Sequence, residues 1–229
     1  MAPICFLFDL DGTLVTTGGA GMRAFDRAFR ERFGRPAQIR SVSPAGKTDP
    51  EILAEVCLRA LGRLPAPREE EALFRRYTEL LEEELRRTSD FRVHPGIPEV
   101  LSRLHGRAGC LLGLGTGNIR EGARIKLEIP GLWHYFRFGG FGGDGRDRKA
   151  LLEAALRRGR ALVDGGTDFE RVYVVGDTPR DVAAGRAVGA RVIGVATGPY
   201  SAEALERAGA FRVFPDLGDP DSFLDLVLE

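Results

Sequence analysis

Two carboxylates, one residue apart, follow an apolar run near the start of the chain. Asp9 comes directly after residues 4–8, and an uninterrupted apolar run rich in Ile and Phe is typical of a buried strand in a parallel sheet. Ligands of open α/β sheets bind beyond the carboxyl ends of the strands. A turn explains Asp11 and Gly12, because Asp-Gly is a common turn pair, but it leaves Asp9 without a structural role. We therefore predict a reactive carboxylate at position 9.

Asp177 ends a second strand-like run, residues 172–175, and Asp181 lies four residues further on. Mg²⁺ is bound in proteins through one or two carboxylates together with substrate phosphate, and Asp177 suits that role. The alternative is that both residues are acids at the start of a helix, where the helix dipole favours negative charge. This alternative explains Asp181 about as well as a functional role does, but it explains Asp177 less well.

The elements that must position these carboxylates alternate along the chain. Helix-like segments separate most of the strand-like runs, which lie at residues 4–8, 111–115, 172–175, 192–195 and, more weakly, 211–214. Such alternation predicts βαβ units and a parallel sheet, an α/β fold. About a hundred residues separate the first two runs, whereas one βαβ unit needs roughly thirty. The excess predicts an inserted domain.

The insertion is predicted to be helical. Leu, Phe and Ala recur at three- and four-residue steps, with Arg and Glu on the other faces, over residues 21–33, 50–61 and 68–87. Asp49, before Pro50, is the expected N-cap of the second helix. We expect hinges at residues 16–21 and 90–96, and a loop at the glycine cluster 139–145.

The composition restricts the class of partner. The 33 basic and 33 acidic residues give a formal net charge of +0, so no broad attraction to nucleic acid or to an acidic membrane is expected. No stretch approaches the roughly 20 apolar residues that span a bilayer, and residues 4–8 are too short for a signal peptide. The three cysteines lack the paired spacing of zinc sites. These features predict a cytoplasmic protein whose partner binds at a local site. They leave open whether it is a monomer or a homodimer.

Four segments together resemble the haloacid dehalogenase (HAD) superfamily of Mg²⁺-dependent phosphohydrolases, in the subgroup with a helical cap inserted after the first motif. They are residues 8–14, 114–118, 145–149 and 174–181. The resemblance implies a Rossmann-like parallel-sheet core formed by residues 1–16 and 92–229, and an α-helical cap formed by residues 17–91. It also implies Mg²⁺ as the cofactor and a phosphorylated small molecule as the substrate.

The resemblance implies a role for each carboxylate. Asp9 would be the nucleophile, and Asp11 would be the general acid and base that serves the leaving group and then water. The metal would be held by the Asp9 carboxylate, the Asp11 main-chain carbonyl and Asp177, with Asp181 in an outer layer. Thr116 would bind the phosphoryl oxygens, although an ordinary turn into a helix explains the same position.

The remaining roles belong to substrate contacts and to one cation. Arg148 is the expected phosphate-site cation, with Arg146 and Lys149 as alternatives, because the usual Lys-Pro signature is absent. Each of these three residues, taken alone, could also be a solvent-exposed charge at the start of a helix. The resemblance implies further substrate contacts by three core residues, Leu10, Gly117 and Asn118. It also implies contacts to the leaving group by two residues of the cap loop, Lys47 and Thr48.

The function that these features predict is hydrolysis of a phosphomonoester through an aspartyl-phosphate, as in a phosphoglycolate phosphatase. A phosphomutase would use the same four segments. A phosphonate hydrolase would need a cap lysine such as Lys47 to form an imine. A halide-displacing enzyme typically lacks the second Asp, so Asp11 argues against it. A binding module without catalysis usually loses one of the acids, whereas Asp9, Asp11 and Asp177 are all present.

Overall fold

The strands form two sheets in a computed structural model that describes residues 2–145, 147–163 and 168–228. The strands are β1 (Ile4–Phe8), β2 (Val15–Thr17), β3 (Phe91–Val93), β4 (Cys110–Gly115), β5 (Phe138–Gly140), β6 (Arg171–Gly176), β7 (Arg191–Val195) and β8 (Arg212–Phe214). Six of them make one parallel sheet in the order β5-β4-β1-β6-β7-β8, and β2 and β3 make a separate antiparallel ribbon.

Nine helices are seen in the described residues. They are α1 (Ala20–Phe33), α2 (Asp49–Leu61), α3 (Pro67–Arg87), α4 (Ile97–His105), α5 (Arg120–Glu128), α6 (Arg148–Arg160), α7 (Pro179–Ala187), α8 (Ala202–Arg207) and α9 (Pro220–Leu228). Helices α6 and α7 cover one face of the parallel sheet, and α4 and α9 cover the other. The expected α/β class is confirmed.

Strand β1 lies at the centre of the sheet, between β4 and β6. Phe6 and Phe8 pack into the core on one face, whereas Cys5 and Leu7 pack into the core on the opposite face. Because both faces are covered by helices, the strand is apolar throughout instead of alternating. This burial fixes the point at which the chain emerges from the sheet, directly before Asp9.

Helices α1, α2 and α3 form the insertion. They leave the core after β2 and return to it at β3, and Thr16 of β2 pairs with Arg92 of β3. Their apolar faces enclose a core of their own, which includes Phe25, Phe29 and Leu81. The segments expected to be hinges therefore contain a short ribbon. The boundaries 17–91 for a cap domain stay a prediction.

Two local expectations were wrong. The cluster 139–145 is not simply a loop, because Phe138–Gly140 is an edge strand and Gly142–Asp144 forms a short 3-10 turn. A Cβ on Gly140 would lie 1.8 Å from the Leu151 carbonyl oxygen, so the glycine permits close packing of α6. The N-cap of α2 is Thr48, not Asp49: Thr48 Oγ1 accepts from the Glu51 N–H at 3.2 Å, and Asp49 is already helical.

None of the helices in the described part of the chain is long and apolar enough to cross a membrane.

Candidate active site

The carboxyl ends of three adjacent strands meet at one edge of the parallel sheet. Asp9 follows β1, Thr116 follows β4 and Asp177 follows β6, and these strands lie side by side in the order β4-β1-β6. All three side chains are buried. Residues from distant parts of the sequence are thus brought together by the strand order, at the edge where α/β proteins bind ligands.

Three buried carboxylates form a cluster around one guanidinium group. Oxygen atoms of Asp9, Asp177 and Asp181 lie within 4.8 Å of one another. Arg148 Nη2 lies 2.7 Å from Asp9 Oδ1, and the same guanidinium contacts Asp181. Arg148 is 7% exposed, so its guanidinium group interacts with these carboxylates and hardly with solvent. The cluster carries more negative than positive charge when all three acids are ionised.

That excess charge perturbs two of the acids. Burial, together with the negative charges of Asp9 and Asp181, raises the pKa of Asp177 to about 8. Burial also raises the pKa of Asp9 to about 6, although Arg148 acts in the opposite direction. A divalent cation would relieve this repulsion, and clustered carboxylate oxygens are the ligands that Mg²⁺ prefers. The donor set therefore fits a magnesium ion.

Two glycines let the backbone lie close to the Asp177 carboxylate. A Cβ on Gly12 would lie 2.4 Å from Asp177 Oδ2, and one on Gly198 would lie 1.7 Å from the same atom. Gly12 also has a φ of +85°, which favours glycine. On the other side, Thr13 Oγ1 donates to Asp177 Oδ1 at 3.0 Å. The backbone thus approaches the carboxylate closely without filling the space around it.

Asp181 caps α7 and also contacts the guanidinium group beside Asp9. As the third helical residue of α7 it completes a capping box, because its Oδ2 accepts from Thr178 N at 3.0 Å and from Thr178 Oγ1 at 2.7 Å. Its other oxygen contacts Arg148. The helix cap therefore also positions the cation beside Asp9.

Asp11 lies in a second polar network. Its Oδ2 accepts from Lys126 Nζ at 2.6 Å and from Asn118 Nδ2 at 2.8 Å. Lys126 also donates to Asn118 Oδ1 at 2.7 Å, which fixes the orientation of the amide. Thr116 Oγ1 accepts from Asn118 Nδ2 at 2.9 Å. The residues after β4 and the carboxylate after β1 are therefore joined through one amide side chain.

A cavity of about 480 Å³ lies between the insertion and the strand ends. Its floor includes Asp9, Asp11, Thr116, Asp177 and Arg148, and its roof comes from α1, α2, α3 and the loop before α2. Cavities of this volume accommodate small molecules. The acidic cluster is consequently the inner end of a ligand-sized space.

Comparison with known proteins decides the family. The family model for haloacid dehalogenase-like hydrolases matches residues 6–195. That span contains all of the clustered acids, Arg148 and the insertion. This chain belongs to the haloacid dehalogenase-like hydrolase family.

The hydrolase is similar to two named proteins. It is 31% identical to "Probable phosphatase IndB" of Dickeya dadantii over 88% of this chain and 85% of that protein. It is 37% identical to the "Phosphoglycolate phosphatase" of Rhodospirillum rubrum over 56% of this chain and 52% of that protein. A hydrolase of Pseudomonas syringae, 24% identical, shares the fold with a TM-score of 0.71, covering 99% of both chains.

The basic residues near α6 of this haloacid dehalogenase-like hydrolase are now distinguished by position. Arg148 is the first residue of α6 and contacts Asp9. Lys149 points elsewhere, since its half-exposed side chain pairs with Glu153 at 2.6 Å. Arg146 lies outside the described residues.

The cap loop of the hydrolase contacts the floor mainly through its backbone. Asp49 N donates to the Gly117 carbonyl oxygen at 2.8 Å, and a Cβ on Gly117 would lie 2.2 Å from the Lys47 carbonyl oxygen. The Lys47 side chain lines the cavity, but its Nζ donates to Glu55 Oε1 at 2.5 Å and to the Val42 carbonyl oxygen at 2.6 Å. The Thr48 hydroxyl caps α2 and is buried. Leaving-group contacts by either side chain stay a prediction.

Sequence reasoning missed three charged residues of the hydrolase that line the cavity: Lys126, Asp49 and Arg92. Lys126 is 4% exposed and shares the buried face of α5 with Gly122 and Ala123. A lysine on the apolar stripe of a short helix is the signal that would have identified it. Asp49 Oδ2 accepts from Ile119 N at 2.8 Å, and burial raises its pKa to about 6. That contact joins the start of α2 to the start of α5, 70 residues further along the chain. A pattern in the nearby sequence could not have predicted it.

Proposed function

We propose that this protein is a phosphatase that hydrolyses a small-molecule phosphomonoester with Asp9 as the nucleophile and Mg²⁺ as the cofactor. The observation that carries the proposal is the position of Asp9: it lies at the carboxyl end of the central strand, against Arg148, at the inner end of a ligand-sized cavity. The names of the two similar proteins, a phosphatase and a phosphoglycolate phosphatase, support phosphate esters as the substrate class.

The acidic cluster supplies ligands for the metal. In this proposal Mg²⁺ is held by the carboxylates of Asp9 and Asp177 and by the Asp11 main-chain carbonyl. When bound, it neutralises the charge that would otherwise repel a phosphate dianion from Asp9. Asp181 does not bind the metal in this scheme. It holds Arg148, whose guanidinium keeps Asp9 ionised and oriented.

In the first step an Asp9 oxygen attacks phosphorus, and the bond between phosphorus and the ester oxygen breaks. The departing alkoxide takes a proton from the Asp11 carboxyl group, which leaves an aspartyl-phosphate on Asp9. The Thr116 hydroxyl and the backbone N–H groups of Leu10 and Gly117 bind the phosphoryl oxygens. These donors are fixed by the loops that follow β1 and β4.

In the second step Asp11 takes a proton from water, which attacks the same phosphorus atom. The bond between phosphorus and the Asp9 oxygen breaks, so phosphate leaves and both carboxyl groups return to their initial states. Both hydrogen bonds to Asp11 reach Oδ2, and Oδ1 has no hydrogen-bond partner among the described residues. The geometry thus leaves one oxygen of Asp11 for proton transfer.

The test is phosphate release from a panel of phosphomonoesters, with Mg²⁺ and with EDTA. We expect metal-dependent release by the wild type and a loss of about 10³-fold or more in kcat for Asp9→Asn, because the amide cannot form the covalent intermediate. Asp225→Asn is the matched control, since Asp225 is exposed on α9. Equal activity of Asp9→Asn and Asp225→Asn, or release that is unaffected by EDTA, would contradict the proposal.

A further inference from the structure

We propose that the alcohol portion of the substrate is an uncharged, apolar group, so that the enzyme prefers alkyl or aryl phosphates to phosphorylated acids and sugars. This inference rests on the proposed function, because it assigns the cavity to the leaving group of the same reaction. The strand ends supply the polar phosphoryl site, whereas the insertion and the ribbon contribute an apolar lining of Val15, Met22, Phe25, Ile39, Ile52 and Tyr77.

The apolar lining is a packed surface. Phe25 and Tyr77 meet edge to face, with ring centroids 6.1 Å apart, and Phe25, Ile39 and Ile52 belong to the apolar core of the insertion. Their side chains are therefore fixed before any ligand enters. A fixed apolar wall gains free energy from covering apolar carbon and offers no compensation for the lost hydration of hydroxyl groups.

The cations that line the cavity are already paired, with one exception. Lys47 pairs with Glu55, Lys126 pairs with Asp11, and Arg148 serves the acidic cluster. An anionic leaving group such as a carboxylate would have to displace one of these partners.

The acids that line the cavity also act against a second anion. Asp49 and Asp11 both border the space next to the apolar wall. Lys126 offsets the charge of Asp11, so the repulsion comes from Asp49, which has no ion pair among the described residues. When ionised, Asp49 repels a further negative charge but does not affect a neutral alkyl group. Charge and shape thus favour the same class of leaving group.

Arg92 is the exception among the cations. It lines the cavity, but it is exposed, and it lies on β3 opposite Thr16, in the ribbon that connects the insertion to the core. The competing possibility, recognition of an anionic end by Arg92, is therefore tested directly below.

The first experiment compares ethyl, butyl and hexyl phosphate, whose leaving groups differ in apolar length and hardly in chemistry. We expect kcat/KM to rise by about fourfold per methylene until the wall is covered, as expected for burial of a methylene group. Phosphoglycolate and glucose 6-phosphate serve as the anionic and the polar comparison, and both should fall below hexyl phosphate by about tenfold or more in kcat/KM.

The second experiment fills the apolar part of the cavity from α1. A Cβ on Gly21 would lie 3.6 Å from both Tyr77 Oη and Lys126 Nζ, which is ordinary contact, so longer side chains at this position extend into the cavity. We expect Gly21→Leu to abolish the preference for hexyl over ethyl phosphate. Gly21→Ala is the matched control, and it should keep the preference. Thermal unfolding of both variants confirms that they are folded.

The outcomes separate this inference from the proposed function. A flat alkyl series, or a preference for phosphoglycolate that Arg92→Gln removes, would overturn the apolar leaving group while leaving a phosphatase. An unchanged preference in Gly21→Leu would also overturn it. If none of the five esters yields phosphate with Mg²⁺, the proposed function fails, and this inference fails with it.

Discussion

Lys126 and Asn118 hold a single oxygen of Asp11, and this arrangement determines how the proposed acid and base can work. Lys126 Nζ lies 2.6 Å from Asp11 Oδ2, and the lysine is almost completely buried. A buried ammonium group needs such partners, so Lys126 and Asp11 hold each other in place. Lys126 does not reach the phosphoryl site in this scheme. It is a positioning residue.

Replacement of Lys126 tests this position. We expect Lys126→Met to lower kcat by about tenfold, because a general acid that is free to rotate is less often aligned with the leaving oxygen. KM should change less, and the pH profile of kcat should move, since the partner of Asp11 is lost.

The matched control is Lys149→Met, which removes an exposed ion pair with Glu153 on α6. Its kcat and pH profile should equal those of the wild type. A Lys126→Met enzyme that retains the wild-type kcat and pH profile would show that Lys126 only fills space.

At the residue scale, the sequence pointed to the acids and to Arg148, which contacts Asp9, but not to Lys126, which contacts Asp11. Asp9 and Asp177 each follow an apolar run, a local pattern that strand burial explains. Lys126 and Asp11 are 115 residues apart, and their contact depends on α5 packing beside the loop after β1. Lys47 lines the cavity, but its pairing with Glu55, in the second turn of α2, could not be read from the sequence.

At the scale of elements, the glycines after β4 and in β5 permit close packing. Strand β5 is three residues long and contains two glycines, so it has no apolar run by which sequence reasoning could recognise it. It pairs with β4 at Leu114 and Gly115. The close approach of α6 to this edge positions Arg148 at the start of the helix.

Addition of a methyl group to this contact should destabilise the whole core. Gly140→Ala would bring a Cβ to within 1.8 Å of the Leu151 carbonyl oxygen, and backbone atoms cannot rotate away. We expect a loss of about 1–3 kcal/mol in the free energy of unfolding, as for overpacked cores. Gly143→Ala is the control, because a Cβ there would meet nothing within 4 Å. Urea denaturation measures both, and equal stabilities of the two variants would contradict the account.

At the scale of the whole molecule, the acidic cluster couples stability to pH and to metal. The pKa of Asp177, about 8, and that of Asp9, about 6, both exceed the value of about 3.9 in an unfolded chain. Between about pH 4 and about pH 8, the folded protein therefore binds more protons than the unfolded protein. Without metal, its stability should fall as the pH rises from about 4 to about 8.

Metal should reverse that dependence. Mg²⁺ competes with protons for the same carboxylates, so the rise in Tm on adding Mg²⁺ should be larger at pH 8 than at pH 5, as linkage requires. Asp177→Asn should lose most of the decline in EDTA, keeping only the part due to Asp9 below about pH 6, and should lose most of the gain from Mg²⁺. Scanning fluorimetry in EDTA and in Mg²⁺ across this range measures the effect. A gain in Tm that does not depend on pH would show that the cluster is not the magnesium site.

The ribbon of β2 and β3 has a consequence for how such a protein changes over evolutionary time. Because the two strands are neighbours, the chain leaves the core and re-enters it at almost the same place. Any contiguous piece whose ends are adjacent can be lengthened, shortened or exchanged without redirecting the strands beneath it. The insertion that covers the cavity can therefore change during evolution, and the preferred ester with it. The acidic residues at the edge of the parallel sheet need not change.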